Sequence, residues 1–166
     1  SGSSYVIYGQ PNNTADNIDL LDGLEPNTTG FQIDGTAYTY SGSSVDGAGD
    51  VNGDGLDDVI TGAPYANTGG RNYAGSAYVV YGQANDDAED IDLRDDLDPA
   101  TTGFQIDGAA EYDDAGRAVT GAGDLNGDGL DDVGVGAPYA SPSGRSSAGA
   151  AYVIYGQRNV LSLIHL

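Results

Sequence analysis

Aspartate, asparagine and glycine recur in a nine-residue arrangement with the chemistry of a cation site. Asp50-Val51-Asn52-Gly53-Asp54-Gly55-Leu56-Asp57-Asp58 returns as Asp124-Leu125-Asn126-Gly127-Asp128-Gly129-Leu130-Asp131-Asp132. Oxygen-bearing side chains stand at the first, third, fifth and ninth positions, and glycine at the sixth. A hard cation such as Ca²⁺ takes about six to eight oxygen ligands, from carboxylates, amide or backbone carbonyls and water. Alternate residues of a tightly curled loop point inward, so Asp50, Asn52 and Asp54 can converge. Gly55 permits the sharp turn that returns the Leu56 carbonyl and the Asp58 carboxylate to the same point. The counterparts are Asp124, Asn126, Asp128, the Leu130 carbonyl and Asp132. Without a cation the crowded carboxylates would repel one another and their pKa values would rise. Turns are also rich in Asp, Asn and Gly. The same ligand pattern in two equivalent places favours metal, and the cation expected is Ca²⁺ ahead of Mg²⁺ or Mn²⁺.

An EF-hand would need a bidentate Glu at the twelfth position and flanking helices. Thr61 and Val135 stand there instead. The residues that follow, Val59-Ile60-Thr61-Gly62-Ala63-Pro64 and Val133-Gly134-Val135-Gly136-Ala137-Pro138, are short and β-branched and end in proline. They read as strands, which places both loops in β-hairpins.

The elements that must hold these loops repeat with them. Ser-Gly-Ser-Ser-Tyr-Val-Ile-Tyr-Gly-Gln at the start returns at 74–83 and at 148–157, so that Tyr5, Tyr78 and Tyr152 are 73 and 74 residues apart. Thr28–Gly35 is identical to Thr101–Gly108. One period predicts four strands and no substantial helix: Ser43–Gly49, Asp57–Gly62, Ser76–Gly82 and Gly103–Asp107. Arg117–Gly123, Asp131–Gly136 and Ala150–Gly156 repeat the first three. The third strand lacks a polar face, so both of its faces should be buried. The first is too small-sided to fill a sandwich core and suits strands converging on a crowded axis. The predicted fold class is therefore all-β, with four-stranded antiparallel sheets packed as β-propeller blades. A long sandwich fits less well, and a β-helix has much shorter repeats.

Composition limits the chemistry. Among 166 residues there is no Cys, Met or Trp, and the net charge is −21, with 26 acidic residues against five basic ones, all arginine. The lack of cysteine excludes disulfides, thiolate metal sites and a cysteine nucleophile. Six of the acids stand in ligand positions and 20 remain, so metal sites do not explain the acidity. Such a surface repels nucleic acid and anionic membranes, and suits either a salt-rich or calcium-rich external medium or a simple solubility device. No apolar run is long enough to span a membrane. The opening residues fall inside an expected strand, which leads us to expect a larger parent protein. The connections 10–27 and 83–100 are polar, with apolar clusters at Ile18–Leu21 and Ile91–Leu93 that suggest a helical turn on the blade edge. Asn12-Asn13-Thr14 and Asn27-Thr28-Thr29 match the glycosylation sequon. The end, 158–166, departs from the repeat, and His165, the one histidine, is not expected to bind or catalyse.

A small-residue strand, a D-x-N-x-D-G-x-x-D loop, a strand ending Gly-Ala-Pro and a Tyr/Val-rich strand ending in Gly together resemble the FG-GAP repeat. That repeat is the blade of the integrin α-subunit-type propeller. The matching segments are Gly49–Pro64 with Ala74–Gly82, and Gly123–Pro138 with Ala148–Gly156. The Phe-Gly that opens the family's first strand is replaced by Ser41-Gly42 and Ala115-Gly116. The resemblance implies blade remnants at 1–42, a complete blade at 43–107, most of a second at 108–157 and a non-repeat tail at 158–166. Two blades' worth cannot close a ring, so further blades or self-association are expected. The resemblance also implies two Ca²⁺ sites on one face and a protein or glycan partner on the other. By that analogy Tyr65, Arg71, Tyr139 and Arg145 are interaction candidates. The function this implies is an extracellular or cell-surface, non-catalytic adhesion or binding module. A structural spacer, or the non-catalytic propeller of a secreted hydrolase, is the alternative. No Gly-x-Ser-x-Gly elbow is present.

Overall fold

The computed structural model describes residues 2–9, 18–20, 23–84 and 88–158. Its strands are β1 Ser3–Ile7, β2 Gly30–Asp34, β3 Ser44–Gly49, β4 Asp58–Ala63, β5 Ser76–Val80, β6 Ile91–Asp92, β7 Gly103–Asp107, β8 Ala118–Gly123, β9 Asp132–Ala137 and β10 Ala150–Ile154. A single 3₁₀ turn, Pro142–Gly144, is the one helical element among the described residues. The chain is all-β, as expected, and the seven strands given a predicted range (β3, β4, β5 and β7–β10) begin and end within two residues of it.

Three sheets form, ordered β1-β2-β6, β3-β4-β5-β7 and β8-β9-β10. All neighbours are antiparallel except β2 and β6. The middle sheet has the up-and-down order of a propeller blade. β5 is buried along its whole length. Ala77, Val79 and Tyr81 pack with Ile60, Val133 and Val135 toward the last sheet. Tyr78 and Val80 pack with Phe31, Ile33, Ile91 and Leu93 toward the first. A strand between two cores has no place for a polar face, which is why its sequence is uniformly apolar.

The small residues of the first strands also have a cause. A Cβ on Gly121 of β8 would come within 2.2 Å of the Gly47 carbonyl oxygen of β3, so β3 and β8 approach backbone to backbone. Asp46 of β3 locks this contact. Its Oδ2 accepts from the Thr120 hydroxyl at 3.0 Å and from Gly121 N–H at 3.2 Å.

The connection before β7 corrects one expectation. Ile91–Leu93 is not wholly a helical turn: its first two residues are extended, and the turn follows from Asp92. Ile91–Asp92 forms β6 and lies parallel to β2, with Ile33 opposite Ile91 and Asp34 opposite Asp92. Leu93 N–H donates to the Asp34 carbonyl at 2.9 Å, and a hydrogen-bonded turn follows, with Asp96 N–H on the Asp92 carbonyl. An open strand edge offers backbone partners and a buried place for Ile91, which outweighs a lone helical turn in water. In the other connection, 10–17, Leu21 and Asp22 lie outside the described residues, as do Asn12-Asn13-Thr14 and His165.

Candidate metal loops and the opposite face

Each acidic loop is curled by its own side chains. Asp50 Oδ1 accepts from Gly53 N–H at 2.7 Å and Asp54 N–H at 3.1 Å, and its Oδ2 from Gly55 N–H at 3.0 Å. Asn52 Oδ1 accepts from Asp54 N–H, and Asp54 Oδ1 from Leu56 N–H, each at 2.8 Å. The second loop repeats every one of these bonds. Asp124 accepts from Gly127, Asp128 and Gly129, Asn126 from Asp128, and Asp128 from Leu130. Gly55 and Gly129 sit at φ of 91° and 86°, in the left-handed region that glycine adopts without a Cβ clash.

The ninth-position acids tie the loops to the sheets. Asp58 is 1% exposed, and accepts from Val51 N–H at 2.9 Å and from Gly82 N–H, just beyond β5, at 2.8 Å. Asp132 is 0% exposed and accepts from Leu125 N–H at 2.9 Å and Gly156 N–H at 3.0 Å. Burial pushes the Asp58 carboxyl up to about 6, with repulsion from Asp54 and Asp50 adding to it and the Gly82 and Val51 N–H groups opposing. Asp124 is held low, chiefly by the Gly129 N–H.

The donor chemistry of each loop fits a hard cation. Three carboxylates, one amide oxygen and one backbone carbonyl are oxygen ligands of the class Ca²⁺ takes. A carboxylate has about four lone-pair sites, so accepting two or three N–H bonds leaves it able to bind a cation as well. Asn52 Nδ2 donates to Asp54 Oδ2 at 2.8 Å, which brings the third and fifth positions together. Among the described residues no three acidic side chains converge as a ready-made ligand group. Asp58 and Asp132 face N–H groups at the loop's second residue and just beyond β5 or β10, while the other ligand acids serve the loop's own turn.

A further residue, missed at the sequence level, joins the loops. Asp131, next to Asp132, accepts from Asp50 N–H through Oδ2 at 2.9 Å, while its own N–H donates to the Asp50 carbonyl at 3.1 Å. The repeat offset alone could have suggested that neighbouring loops touch. The bond itself depends on the packing of the two sheets.

The interaction candidates separate. Tyr65 lies in a row of rings, 5.1 Å from Tyr40 and 5.9 Å from Tyr73, which in turn lies 5.9 Å from Tyr112. Tyr40, Tyr73 and Tyr112 have positive φ values of 56°, 49° and 64° and are exposed. Bulky residues rarely hold that backbone conformation, and sequence patterns do not reveal it. Tyr139 stands beside a shallow depression with Tyr112, Asp113 and Asp114. Arg71 and Arg145 are not in the ring row and make no ion pair among the described residues. The ion pairs there are Arg94–Asp95 and Arg117–Asp114.

The FG-GAP repeat family model matches residues 41–80 and 115–154. Integrin alpha pat-2 of Caenorhabditis elegans is 37% identical over 132 residues, which is 72% of this chain and 10% of that protein. Integrin alpha-PS2 of Drosophila melanogaster is 36% identical over 134 residues, 78% of this chain and 8% of its own length. Phosphatidylinositol-glycan-specific phospholipase D of Bos taurus is 36% identical over 124 residues, 73% of this chain and 14% of its own. The chain thus spans about a tenth of the length of these relatives. With both matched segments running from the small-residue strand through the acidic loop to the Tyr/Val strand, the chain belongs to the FG-GAP repeat family and is a distant homologue of integrin α subunits and of that phospholipase D.

Proposed function

We propose that the chain is a calcium-binding, non-catalytic propeller module that works outside the cell in adhesion or ligand binding. The observation that carries this reading is the loop repeated with one donor set and one set of turn-forming hydrogen bonds. FG-GAP repeats commonly bind Ca²⁺. Asp50, Asn52, Asp54, Asp58 and the Leu56 carbonyl would hold one ion, and Asp124, Asn126, Asp128, Asp132 and the Leu130 carbonyl a second. The ion would neutralise the clustered carboxylates and so stabilise the loop and the sheets it joins, since it binds the folded loop in preference to the open chain. Affinities of about 10⁻⁴–10⁻³ M are usual for extracellular modules. The ring row from Tyr40 to Tyr112 gives a protein or glycan partner an aromatic surface, and the integrin kinship supports adhesion.

The loop acids are already engaged by backbone N–H groups, which argues against their acting as a free acid–base pair. A second reading, the propeller part of a hydrolase, is favoured by the kinship with a phospholipase D. Titration of CaCl₂ into the chain and into the Asp54→Ala/Asp128→Ala double variant, by calorimetry, tests the metal reading. Saturable heat in the first and none in the second is expected, and equal heats would remove these loops. Hydrolysis of a phosphatidylinositol-glycan substrate by the chain itself would overturn the non-catalytic reading.

A further inference from the structure

Asparagine stands directly before glycine at Asn52-Gly53 and Asn126-Gly127, and both pairs fall at the third and fourth positions of an acidic loop. The calcium reading uses the asparagine oxygen and asks nothing of the glycine beside it. The pair has a chemistry of its own. Asparagine is among the thermolabile side chains. Its loss begins when the following backbone nitrogen attacks the side-chain carbonyl carbon, an approach that a Cβ on the following residue hinders. Glycine has none. Asn67 and Asn72 are followed instead by Thr68 and Tyr73, whose side chains crowd that nitrogen.

The curl of each loop sets the reacting atoms against one another. Asp128 N–H donates to Asn126 Oδ1 at 2.9 Å, and the ring of atoms so closed contains Gly127 N. The amide is thus folded over the nitrogen that would attack it, and the donated hydrogen draws charge from Cγ. Gly127 N–H donates to Asp124 Oδ1 at 2.6 Å, a carboxylate contact that pushes charge onto its nitrogen. Asn126 Nδ2 donates to Asp128 Oδ2 at 2.8 Å. The first loop repeats the set. Asp54 N–H donates to Asn52 Oδ1 at 2.8 Å, Gly53 N–H to Asp50 Oδ1 at 2.7 Å and Asn52 Nδ2 to Asp54 Oδ2 at 2.8 Å.

We propose that Asn52 and Asn126 are self-modification sites, converting to aspartate and isoaspartate in the metal-free loop and guarded by bound calcium. In the second loop Gly127 N forms a bond to Asn126 Cγ and the Cγ–Nδ2 bond breaks. The amide leaves as ammonia, with the proton that Gly127 N gives up through solvent. Water then opens the five-membered imide at either carbonyl. Breaking the new bond gives aspartate on the original backbone. Breaking the original peptide bond gives isoaspartate, with the backbone rerouted through the former side chain and one methylene longer. Aspartate keeps an oxygen at the third position and adds a fourth carboxylate. Isoaspartate displaces the short-range bonds that curl the loop and so removes the site. The guard rests on the calcium reading. With Asn126 Oδ1 and the Asp124 carboxylate held by the ion, ring closure must break a metal bond. The consequence is a covalent record of calcium loss, which refilling the loop does not reverse.

The test is peptide mapping by mass spectrometry of the full chain, incubated in EDTA and in CaCl₂ at matched ionic strength. Enzymatic methylation counts the isoaspartate, and a free peptide of residues 120–136 sets the clock. Exchange of ammonia for water is expected at 52 and 126 in EDTA, with Asn67 and Asn72 intact. Asn52 is buried, so water reaches its imide only as the loop opens, and its conversion should trail that of Asn126. Calcium at about ten times the dissociation constant leaves about a tenth of the loops unfilled and should slow both about tenfold. Asn126→Gln, whose ring would need six members, should abolish modification at 126 and leave 52 unchanged. Both asparagines intact in EDTA after the peptide has converted, or Asn67 and Asn72 converting as fast, overturns the proposal. Equal rates in the two buffers, with saturable calcium heat in calorimetry, also overturn it. Equal rates without such heat overturn the calcium reading, and the guard falls with it.

Discussion

The two acidic loops share their local frame and differ in what surrounds them. Every turn-forming hydrogen bond of residues 50–58 reappears in 124–132, yet burial reverses along them. Val51 at the second position is 1% exposed, and its counterpart Leu125 is 59% exposed. At the seventh position Leu56 is 39% exposed and Leu130 only 5%. The cause is the order of the sheets. Leu130 leans on the first loop at Gly53, where a Cβ would meet its Cδ2 at 2.9 Å, and the Val51 carbonyl accepts from Gln157 N–H at 2.9 Å. The first loop is thus covered at its start by the following sheet, and the second covers the first with its seventh residue. Local sequence sets the curl of a loop, and its neighbour sets how firmly the curl is held.

This difference can be broken at several points. The largest effect belongs to the buried ninth-position acids. Asp58→Ala orphans the Val51 and Gly82 N–H groups and should cost roughly 2–6 kcal/mol, at about 1–3 kcal/mol for each buried donor left unpaired. Asp132→Ala should cost somewhat less, because its partner Leu125 lies on the exposed loop. Chemical denaturation of both variants checks the order. Next come the seventh-position leucines. Leu130→Ala should lose about 2–3 kcal/mol and Leu56→Ala less than about 1 kcal/mol, a contrast that equal losses in thermal unfolding would erase.

Asp131→Ala should cost about 1 kcal/mol, and its informative readout is calcium affinity. Because Asp131 bonds only to the first loop, the variant should weaken the first site more than the second. Equal weakening in calorimetry would mean that the loops are not coupled through it. A further effect concerns pH. Asp58 has its carboxyl raised to about 6 in the folded chain, above its ordinary unfolded value of about 3.9. The folded state therefore holds the proton more tightly between about pH 4 and 6, and metal-free stability falls as pH rises through that window. Calcium should reverse the slope, since it binds the deprotonated carboxylate. A pH series of melting temperatures, with EDTA and with CaCl₂, reads both signs.

Much of this was legible in the residues alone. Glycine-bounded Tyr/Val runs gave the third strands, and D-x-N-x-D-G gave the loop, because both depend on neighbours a few positions away. The pairing of Ile91–Asp92 with β2 was not legible, for two extended residues in an acidic connection carry no period. Nor could Gly-Leu-Asp-Asp, identical at 55–58 and 129–132, say that one leucine is covered and the other open. Tyr40, Tyr73 and Tyr112 hold left-handed backbone through contacts between loops that lie far apart in sequence, and only the folded chain brings their rings together.

The most direct test of the calcium reading is a high-resolution map from crystals grown with CaCl₂. The expected result is one ion in each loop, about 2.3–2.6 Å from oxygens of Asp50, Asn52, Asp54 and Asp58 and of Asp124, Asn126, Asp128 and Asp132. Loops that keep their N–H bonds with only water among those oxygens, at millimolar calcium, would contradict it.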